Sequence, residues 1–177
     1  MNISIKIRNI FLIGPIGSGK STIGKILAKE LKFEFYDSDT VLKKRTGADI
    51  SWILDIEGMD GFRKREKKII EELTKKNNIV LATGEGSVTT TENQYALTSR
   101  GTVIYLKTSL QEQYERTKKD NKHPLLRTKN IKNQLKILKK ERDPIYIKLS
   151  DITFETDKLT TKTVSNNIIK YLYNNIL

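Results

Sequence analysis

The chain has 177 residues and a formal net charge of +12, with 33 lysines and arginines against 21 acidic residues, and this length predicts one domain, residues 1–177, with a single core. It has no cysteine and one histidine, His123, which excludes disulfides, thiolate zinc sites, a thiol nucleophile and a histidine metal cluster. No stretch approaches the roughly 20 apolar residues of a membrane helix and no signal-peptide pattern is present, so we expect a cytoplasmic protein without a membrane partner.

The first predicted element is a short apolar strand, Ile10–Ile13, which runs directly into a glycine-rich loop. Residues 14–21 read GPIGSGKS and match the complete G-x-x-x-x-G-K-[ST] pattern of a phosphate-binding loop. A helical pattern over Ser21–Leu31 follows, so the loop lies between a strand and a helix, as this motif requires. The sequence therefore predicts a nucleoside triphosphate site.

The residue types in this loop each have a physical role. Glycine lets backbone N–H groups turn toward phosphate oxygens, and the N-terminus of the following helix adds partial positive charge. Lys20 would reach the β- and γ-phosphates, and the Ser21 hydroxyl would ligate Mg²⁺. The residues expected to hold the nucleotide are Gly17, Ser18, Gly19, Lys20, Ser21 and Thr22.

Further along the chain, short apolar runs alternate with longer helical patterns. The other predicted strands are Phe33–Tyr36, Ile79–Ala82, Val103–Leu106 and Ile152–Phe154. The other predicted helices are a segment near Ile50–Asp55, then Phe62–Lys75, Glu92–Ser99, Leu110–Thr117, Ile131–Ser150 and Val164–Tyr173. Strands this apolar imply a three-layer α/β fold with a parallel sheet covered on both faces. The polar stretch at about residues 118–130 is long enough to serve as a mobile lid.

Two aspartates follow the second predicted strand. The third strand ends in Thr83 and Gly84 rather than in an acid, so the acid on the metal side must come from elsewhere. Asp37 and Asp39 would emerge at the carboxyl edge of the sheet, beside the loop. One could support Mg²⁺ while the other contacts the hydroxyl that receives the phosphoryl group. The alternative is that Asp-Ser-Asp only caps the next helix; beside a phosphate loop we favour the functional interpretation.

Several segments outside the loop occur in an order and spacing that is more specific than any single motif. They are Arg8–Pro15, Phe35–Asp39, Arg45–Asp49, Gly61–Arg63, Leu81–Gly84, Arg116–Thr117, Pro124–Leu126 and Glu141–Tyr146. Together they resemble the shikimate kinase family over nearly the whole chain. This resemblance implies a five-stranded parallel sheet in a P-loop kinase of the nucleoside-monophosphate-kinase type. It also implies transfer of the ATP γ-phosphoryl group to the 3-hydroxyl of shikimate, in aromatic amino-acid biosynthesis.

The resemblance also assigns roles to individual residues. It makes Asp39 the residue that binds the substrate hydroxyls and acts as base, and Asp37 a support for Mg²⁺ through water. Arg63 and Arg142 would hold the shikimate carboxylate, a task that suits guanidinium because its planar fork matches two oxygens. Without the resemblance, ordinary surface ion pairs would explain these two arginines. Arg116 would lie against adenine.

One departure from the family pattern falls in the expected substrate site. The family has three consecutive glycines after the third strand, whereas this chain reads Gly84-Glu85-Gly86. A carboxylate that faced the anionic substrate would repel it by about 4 kcal/mol at a separation near 4 Å. Alternatively, the Glu85 side chain turns to solvent or pairs with a nearby basic residue.

A second departure falls in the expected lid. His123 stands before Pro124, where the family has arginine, and histidine is only partly protonated at neutral pH. Loss of a comparable arginine finger costs about 10³-fold or more in rate, so reduced activity is expected unless Lys122 or Arg127 compensates. His123 could also be an exposed loop residue without a role. A smaller departure is Met59, where an acid is common.

Three other functions stay open at this point. The net charge suggests RNA binding, but the basic runs are scattered among acidic residues without interleaved aromatic residues, and we expect no nucleic-acid partner. The chain could be a kinase for another small polyol acid such as gluconate. It could also be a decayed relative that binds nucleotide without turnover. We expect a monomer.

Overall fold

The computed structural model describes residues 9–118 and 128–175, and its centre is a five-stranded sheet. The strands are β1 (Asn9–Ile13), β2 (Glu34–Asp37), β3 (Ile79–Ala82), β4 (Thr102–Lys107) and β5 (Ile152–Glu155). They lie in the order β2-β3-β1-β4-β5, and every neighbouring pair is parallel. The predicted five-stranded parallel sheet is confirmed, with strand bounds that differ from the predicted ones by at most one residue at either end.

The helices are α1 (Lys20–Leu31), α2 (Ser38–Thr46), α3 (Ile50–Thr74), α4 (Thr91–Arg100), α5 (Leu110–Thr117), α6 (Ile131–Leu149) and α7 (Thr161–Asn175), with a short 3₁₀ turn at Ser87–Thr89. Helices α1 to α6 lie between successive strands, and α7 follows the last strand. The two segments predicted separately at 50–55 and 62–75 are parts of α3, which is interrupted at Gly58 (φ 69°, ψ −176°). Helix α2 is absent from the sequence prediction because it buries only Ser38 and Leu42 and so lacks an amphipathic pattern.

Alternate residues of the strands form two apolar cores on opposite faces of the sheet. On one face, Ile10 and Leu12 of β1 pack with the buried sides of α1 and α7. On the other face, Phe11 and Ile13 belong to a larger cluster that includes buried residues of α3, α4 and α6. Burial of a side chain of this size stabilises the fold by about 1.5–3 kcal/mol. The three-layer arrangement is therefore the one expected for a parallel sheet.

The strand register places the functional segments at one edge of the sheet. Leu12 of β1 and Asp37 of β2 are both aligned with Ala82 of β3, so the carboxyl ends of these three strands lie side by side. The phosphate loop, helix α2 and the segment after β3 all begin at this edge. In the described parts of the chain, no helix is long and apolar enough to cross a bilayer.

Candidate active site

The phosphate loop has the backbone that its glycines permit. Gly17 and Gly19 have φ angles of 78° and 88°, a region that side-chain-bearing residues rarely adopt. Gly14 lies so close to β4 that a Cβ there would be 2.8 Å from the Leu106 carbonyl oxygen. Helix α1 begins at Lys20, so the N–H groups of its first turn lack partners within the helix and can bind an anion.

The Lys20 ammonium folds back over this loop. Its Nζ donates to the carbonyl oxygens of Gly14 and Pro15 at 2.8 and 2.9 Å, and to Ser18 Oγ at 3.4 Å. Burial lowers the pKa of Lys20, an effect opposed by the nearby carboxylates of Glu85 and Asp39. The loop thus holds the cation against its own backbone.

Ser21 and Asp37 lie together at the mouth of the loop. Ser21 Oγ donates to Asp37 Oδ2 at 2.5 Å, and Asp37 Oδ1 accepts the Thr40 N–H at 3.0 Å. Asp37 therefore caps α2 and also faces the loop, so the structural interpretation of this residue is confirmed and its role in metal binding stays a prediction. A hydroxyl and a carboxylate are the hard oxygen donors that Mg²⁺ prefers, and this pair fits that ion.

A cleft of about 220 Å³ extends from the loop to the segment after β3. Asp39 and Glu85 line its far side. The other lining residues are Ile16, Gly17, Gly19, Lys20, Ser21, Thr22, Asp37, Thr83 and Gly84. Within residues 9–118 and 128–175, no group of three or more His, Cys, Asp or Glu side chains is arranged to hold a metal. A divalent ion here would thus need phosphate and water oxygens in addition.

Three predicted substrate residues converge on the segment Gly84–Gly86. Asp39 Oδ1 lies 2.8 Å from the position of a Cβ at Gly84. Arg142 Nη1 lies 3.7 Å from Glu85 Oε1. A Cβ at Gly86 would overlap the guanidinium of Arg63, with Cζ only 2.8 Å away. The three side chains, which come from α2, α3 and α6, are therefore brought close enough to contact one small ligand.

Asp39 lies in the first turn of α2 and is partly buried. Its pKa is raised to about 7, mainly by burial and also by the carboxylates of Glu85, Asp37 and Glu66, whereas Lys20 lowers it. A carboxylate with a pKa near neutrality can accept a proton from a reacting hydroxyl at physiological pH. This environment suits a general base.

Glu66 belongs to the site but was missed by the sequence interpretation. Its side chain is only 2% exposed. The carboxylate accepts hydrogen bonds from Arg63 Nη1 at 2.7 Å and from Ser87 Oγ at 3.0 Å. Burial raises its pKa, while Arg63 lowers it. Its spacing in the sequence could have identified it as a buried carboxylate: Glu66 follows Phe62 by four residues and precedes Ile69 and Ile70 on the apolar face of α3. A carboxylate on such a face needs a polar partner.

The Glu85 side chain is directed inward and is 12% exposed. The predicted alternative of a solvent-facing rotamer is thus wrong, and pairing with a basic residue is what the structure contains. The Tyr146 hydroxyl donates to the Glu85 carbonyl oxygen at 2.6 Å. Neighbouring Gly84 donates its N–H to Ser38 Oγ at 2.9 Å. The backbone of this segment is therefore fixed from two helices.

Arg116 reaches the phosphate loop from α5. Its Nη1 donates to the Gly17 carbonyl oxygen at 3.0 Å, and its Nη2 donates to the Thr156 carbonyl oxygen at 2.9 Å. Glu112 forms an ion pair with the same guanidinium, with Oε2 3.1 Å from Nη2. Arg116 thus lies at the outer edge of the loop, and its contact with adenine stays a prediction.

Two of the predicted features cannot be located in this structure. His123 and most of the lid, residues 119–127, lie outside the described residues, as do Lys122 and Arg127. Met59, by contrast, is described: it is 45% exposed on α3, next to the interruption at Gly58. No described contact of Met59 links it to the cleft.

The sheet order, the phosphate loop after β1 and the basic and acidic side chains around the cleft define a P-loop kinase of the nucleoside-monophosphate-kinase type. Residues 16–173 match the family model described as "Shikimate kinase". The chain belongs to the shikimate kinase family, whose members are ATP-dependent phosphotransferases.

Individual relatives agree with this family over nearly their full length. The chain is 66% identical over 172 residues to a shikimate kinase of Legionella pneumophila (strain Corby), covering 97% of this chain and 98% of that protein. It is 53% identical to a shikimate kinase of Vibrio parahaemolyticus, covering 93% and 96%. Among solved structures, it is similar to shikimate kinase from Acinetobacter baumannii in complex with shikimate, with a TM-score of 0.94, 40% identity and coverage of 98% and 97%.

Proposed function

We propose that this chain, as one kinase domain, transfers the γ-phosphoryl group of ATP to the 3-hydroxyl of shikimate. The observation that carries the proposal is the meeting of Asp39, Arg63 and Arg142 at the segment Gly84–Gly86, directly beside the phosphate loop. The solved relative that contains shikimate has the same fold over 98% of this chain. A carboxylic acid with a hydroxyl group is the ligand that two arginines and an aspartate would recognise.

The donor half of the reaction rests on the loop. Backbone N–H groups of the loop and of the first turn of α1 would hold the phosphates, and Lys20 would move from its loop carbonyls to the transferring phosphoryl group. Ser21 would ligate Mg²⁺ directly and Asp37 would support it through water. When bound, Mg²⁺ neutralises charge on the phosphate oxygens. Arg116 would lie against adenine.

The acceptor half rests on the segment after β3. Asp39 would accept the proton of the attacking hydroxyl and orient it toward the phosphorus. Arg142 and Arg63 would bind the carboxylate, with Glu66 holding the Arg63 guanidinium in place. Because there is little covalent chemistry for a protein to perform in phosphoryl transfer, this positioning supplies most of the catalysis.

The direct test is ADP release, coupled to a reporter enzyme and measured with and without shikimate. Shikimate-dependent release that requires Mg²⁺ is the expected result, and gluconate should give none. ATP binding without shikimate-dependent release would contradict the proposal and would indicate a nucleotide-binding relative without turnover. A monomer and a cytoplasmic location belong to the same proposal; light scattering and cell fractionation measure them.

A further inference from the structure

The Arg142 guanidinium is a buried cation whose hydrogen bonds are incomplete. The residue is 7% exposed. Its Nε and Nη1 have no hydrogen-bond partner anywhere in the described parts of the chain. A buried guanidinium in this state costs free energy unless an anion is nearby. The geometry therefore leaves two N–H donors of this guanidinium open to an anionic acceptor.

Glu85 supplies the carboxylate that forms an ion pair with this guanidinium. Its Oε1 lies 3.7 Å from Arg142 Nη1, which is close enough for charge attraction but too long for a hydrogen bond. The two side chains are 9% and 12% exposed, so solvent screens the pair only weakly. Glu85 thus offsets the charge of Arg142 without using its open N–H groups.

The Glu85 carboxylate also acts on the rest of the cleft. It is the nearby charge with the largest effect on the pKa of Lys20 and of Asp39, after burial in both cases. Its backbone is held by the Tyr146 hydroxyl, and burial raises the pKa of that tyrosine, which keeps the donor proton in place. The Glu85 side chain, with three rotatable bonds, is therefore the part of this segment that can move.

We propose that Glu85 competes with the substrate's own carboxylate for Arg142. In the free protein Glu85 pairs with the guanidinium, and an acid substrate binds when the Glu85 side chain has rotated away. This inference rests on the proposed function, because it takes shikimate as the acid. Its reason is electrostatic: two carboxylates held side by side at one poorly solvated guanidinium repel each other.

The consequence is a lowered apparent affinity for the acid. When the binding-competent conformer is only a fraction of the population, the apparent dissociation constant rises by the inverse of that fraction. Glu85 is therefore a specificity-determining residue that acts on the binding of the acid.

The test compares shikimate binding by calorimetry and coupled ADP release in five proteins and a control. The proteins are the wild type, Glu85→Gln, Glu85→Gly, Arg142→Gln and the double variant E85Q/R142Q. The control is Glu72→Gln, which removes an acid of an exposed ion pair with Arg45. E85Q and E85G should each lower both Kd and KM for shikimate at least about tenfold, with E72Q without effect.

The double variant separates competition from simple repulsion. If Glu85 acts by occupying Arg142, E85Q should bring no gain in affinity once Arg142 is glutamine. A gain that persists in the R142Q background would overturn the proposal, because Glu85 would then repel anions without competing for a site. An unchanged Kd in both E85Q and E85G would overturn it as well.

Two further measurements keep the outcomes distinct. The methyl ester of shikimate lacks the carboxylate charge, so its Kd should be equal in the wild type and in E85Q, and a gain with the ester would contradict the proposal. Thermal unfolding should reveal a larger shikimate-induced rise in Tm for E85Q than for the wild type.

The failure of the competition can be distinguished from the failure of the proposed function. If neither the wild type nor any variant binds or phosphorylates shikimate, the proposed function fails and the competition fails with it. If the wild type does both and E85Q has the same Kd for shikimate as the wild type, the competition alone fails.

Discussion

Lys20 and Arg142 are two cations of the site, and their surroundings differ. Lys20 lines the cleft and donates to two loop carbonyls and a serine hydroxyl. Arg142 lies beside Glu85 and has two nitrogen atoms without an acceptor in the described residues and a carboxylate beyond hydrogen-bond distance. We call the surroundings of Lys20 the phosphate end and those of Arg142 the acid end. The cation of the phosphate end is thus held by acceptors of its own loop, whereas the cation of the acid end keeps open N–H groups.

The largest effect is expected from Lys20→Ala. This change removes the cation at the phosphate end, so kcat/KM for ATP and shikimate should fall by about 10³-fold or more, as when a preorganised charge partner is deleted. Coupled ADP release measures the loss, and circular dichroism checks the fold. Lys29→Ala, an exposed residue of the same helix, is the control and should keep full activity. Near-normal turnover in K20A would mean that the loop does not hold the phosphates.

Asp39→Asn should have the next largest effect. The amide keeps the shape of the side chain but cannot accept the hydroxyl proton, so kcat should fall by about 10²-fold or more. Nucleotide binding should stay within about twofold, which fluorescence titration with a labelled ADP would measure. Asp60→Asn, at an exposed position of α3, is the matched control. If D39N lost nucleotide affinity and not kcat, Asp39 would belong to the phosphate end instead.

A moderate effect is expected from Gly86→Ala, which probes the acid end sterically. The added Cβ would overlap the Arg63 guanidinium, so the arginine must move and the KM for shikimate should rise about tenfold. Gly47→Ala is the control: its φ of 66° strains a side chain, but nothing lies within 4 Å. G47A should cost about 1 kcal/mol of stability and leave KM unchanged. Equal KM values for both variants would contradict the placement of Arg63.

The smallest effect is expected from a change to Glu71, whose ion pairs with Arg100 and Lys75 belong to neither the phosphate end nor the acid end. Arg100 and Lys75 lower the pKa of Glu71 to about 2. Because the folded-state pKa is below the ordinary value of 4.5, this stabilisation is present above pH 4.5 and is lost as pH falls toward 2. The side chain is 44% exposed, so Glu71→Gln should cost less than about 1 kcal/mol at neutral pH. Urea unfolding from pH 7 to pH 3 should find the difference shrinking; a constant difference would contradict the assignment.

The sequence predicted the sheet because buried parallel strands are continuous apolar runs, and it predicted the phosphate loop because the motif is local. Helix α2 was missed, since a helix that buries so little has no periodic signal. The rotamer of Glu85 could not be predicted, because it depends on a contact with Arg142 of α6, which is distant in sequence, and no local propensity encodes it. The Arg63–Glu66 pair is local, three residues apart on α3, and the spacing of Glu66 on the apolar face of that helix was a signal that the sequence interpretation did not use. The family resemblance supplied the roles of Arg63 and Arg142, which residue types alone would have left as surface ion pairs.

The strand order β2-β3-β1-β4-β5 has a consequence for how the protein is made. Neighbouring strands are separated in sequence by whole helices, so the entropic cost of loop closure must be overcome before strand pairing stabilises the chain. A nascent chain that ends before α6 contains the phosphate cradle and Asp39 but not Arg142. The surroundings of Arg142 are therefore completed last during synthesis, when about the final quarter of the chain docks.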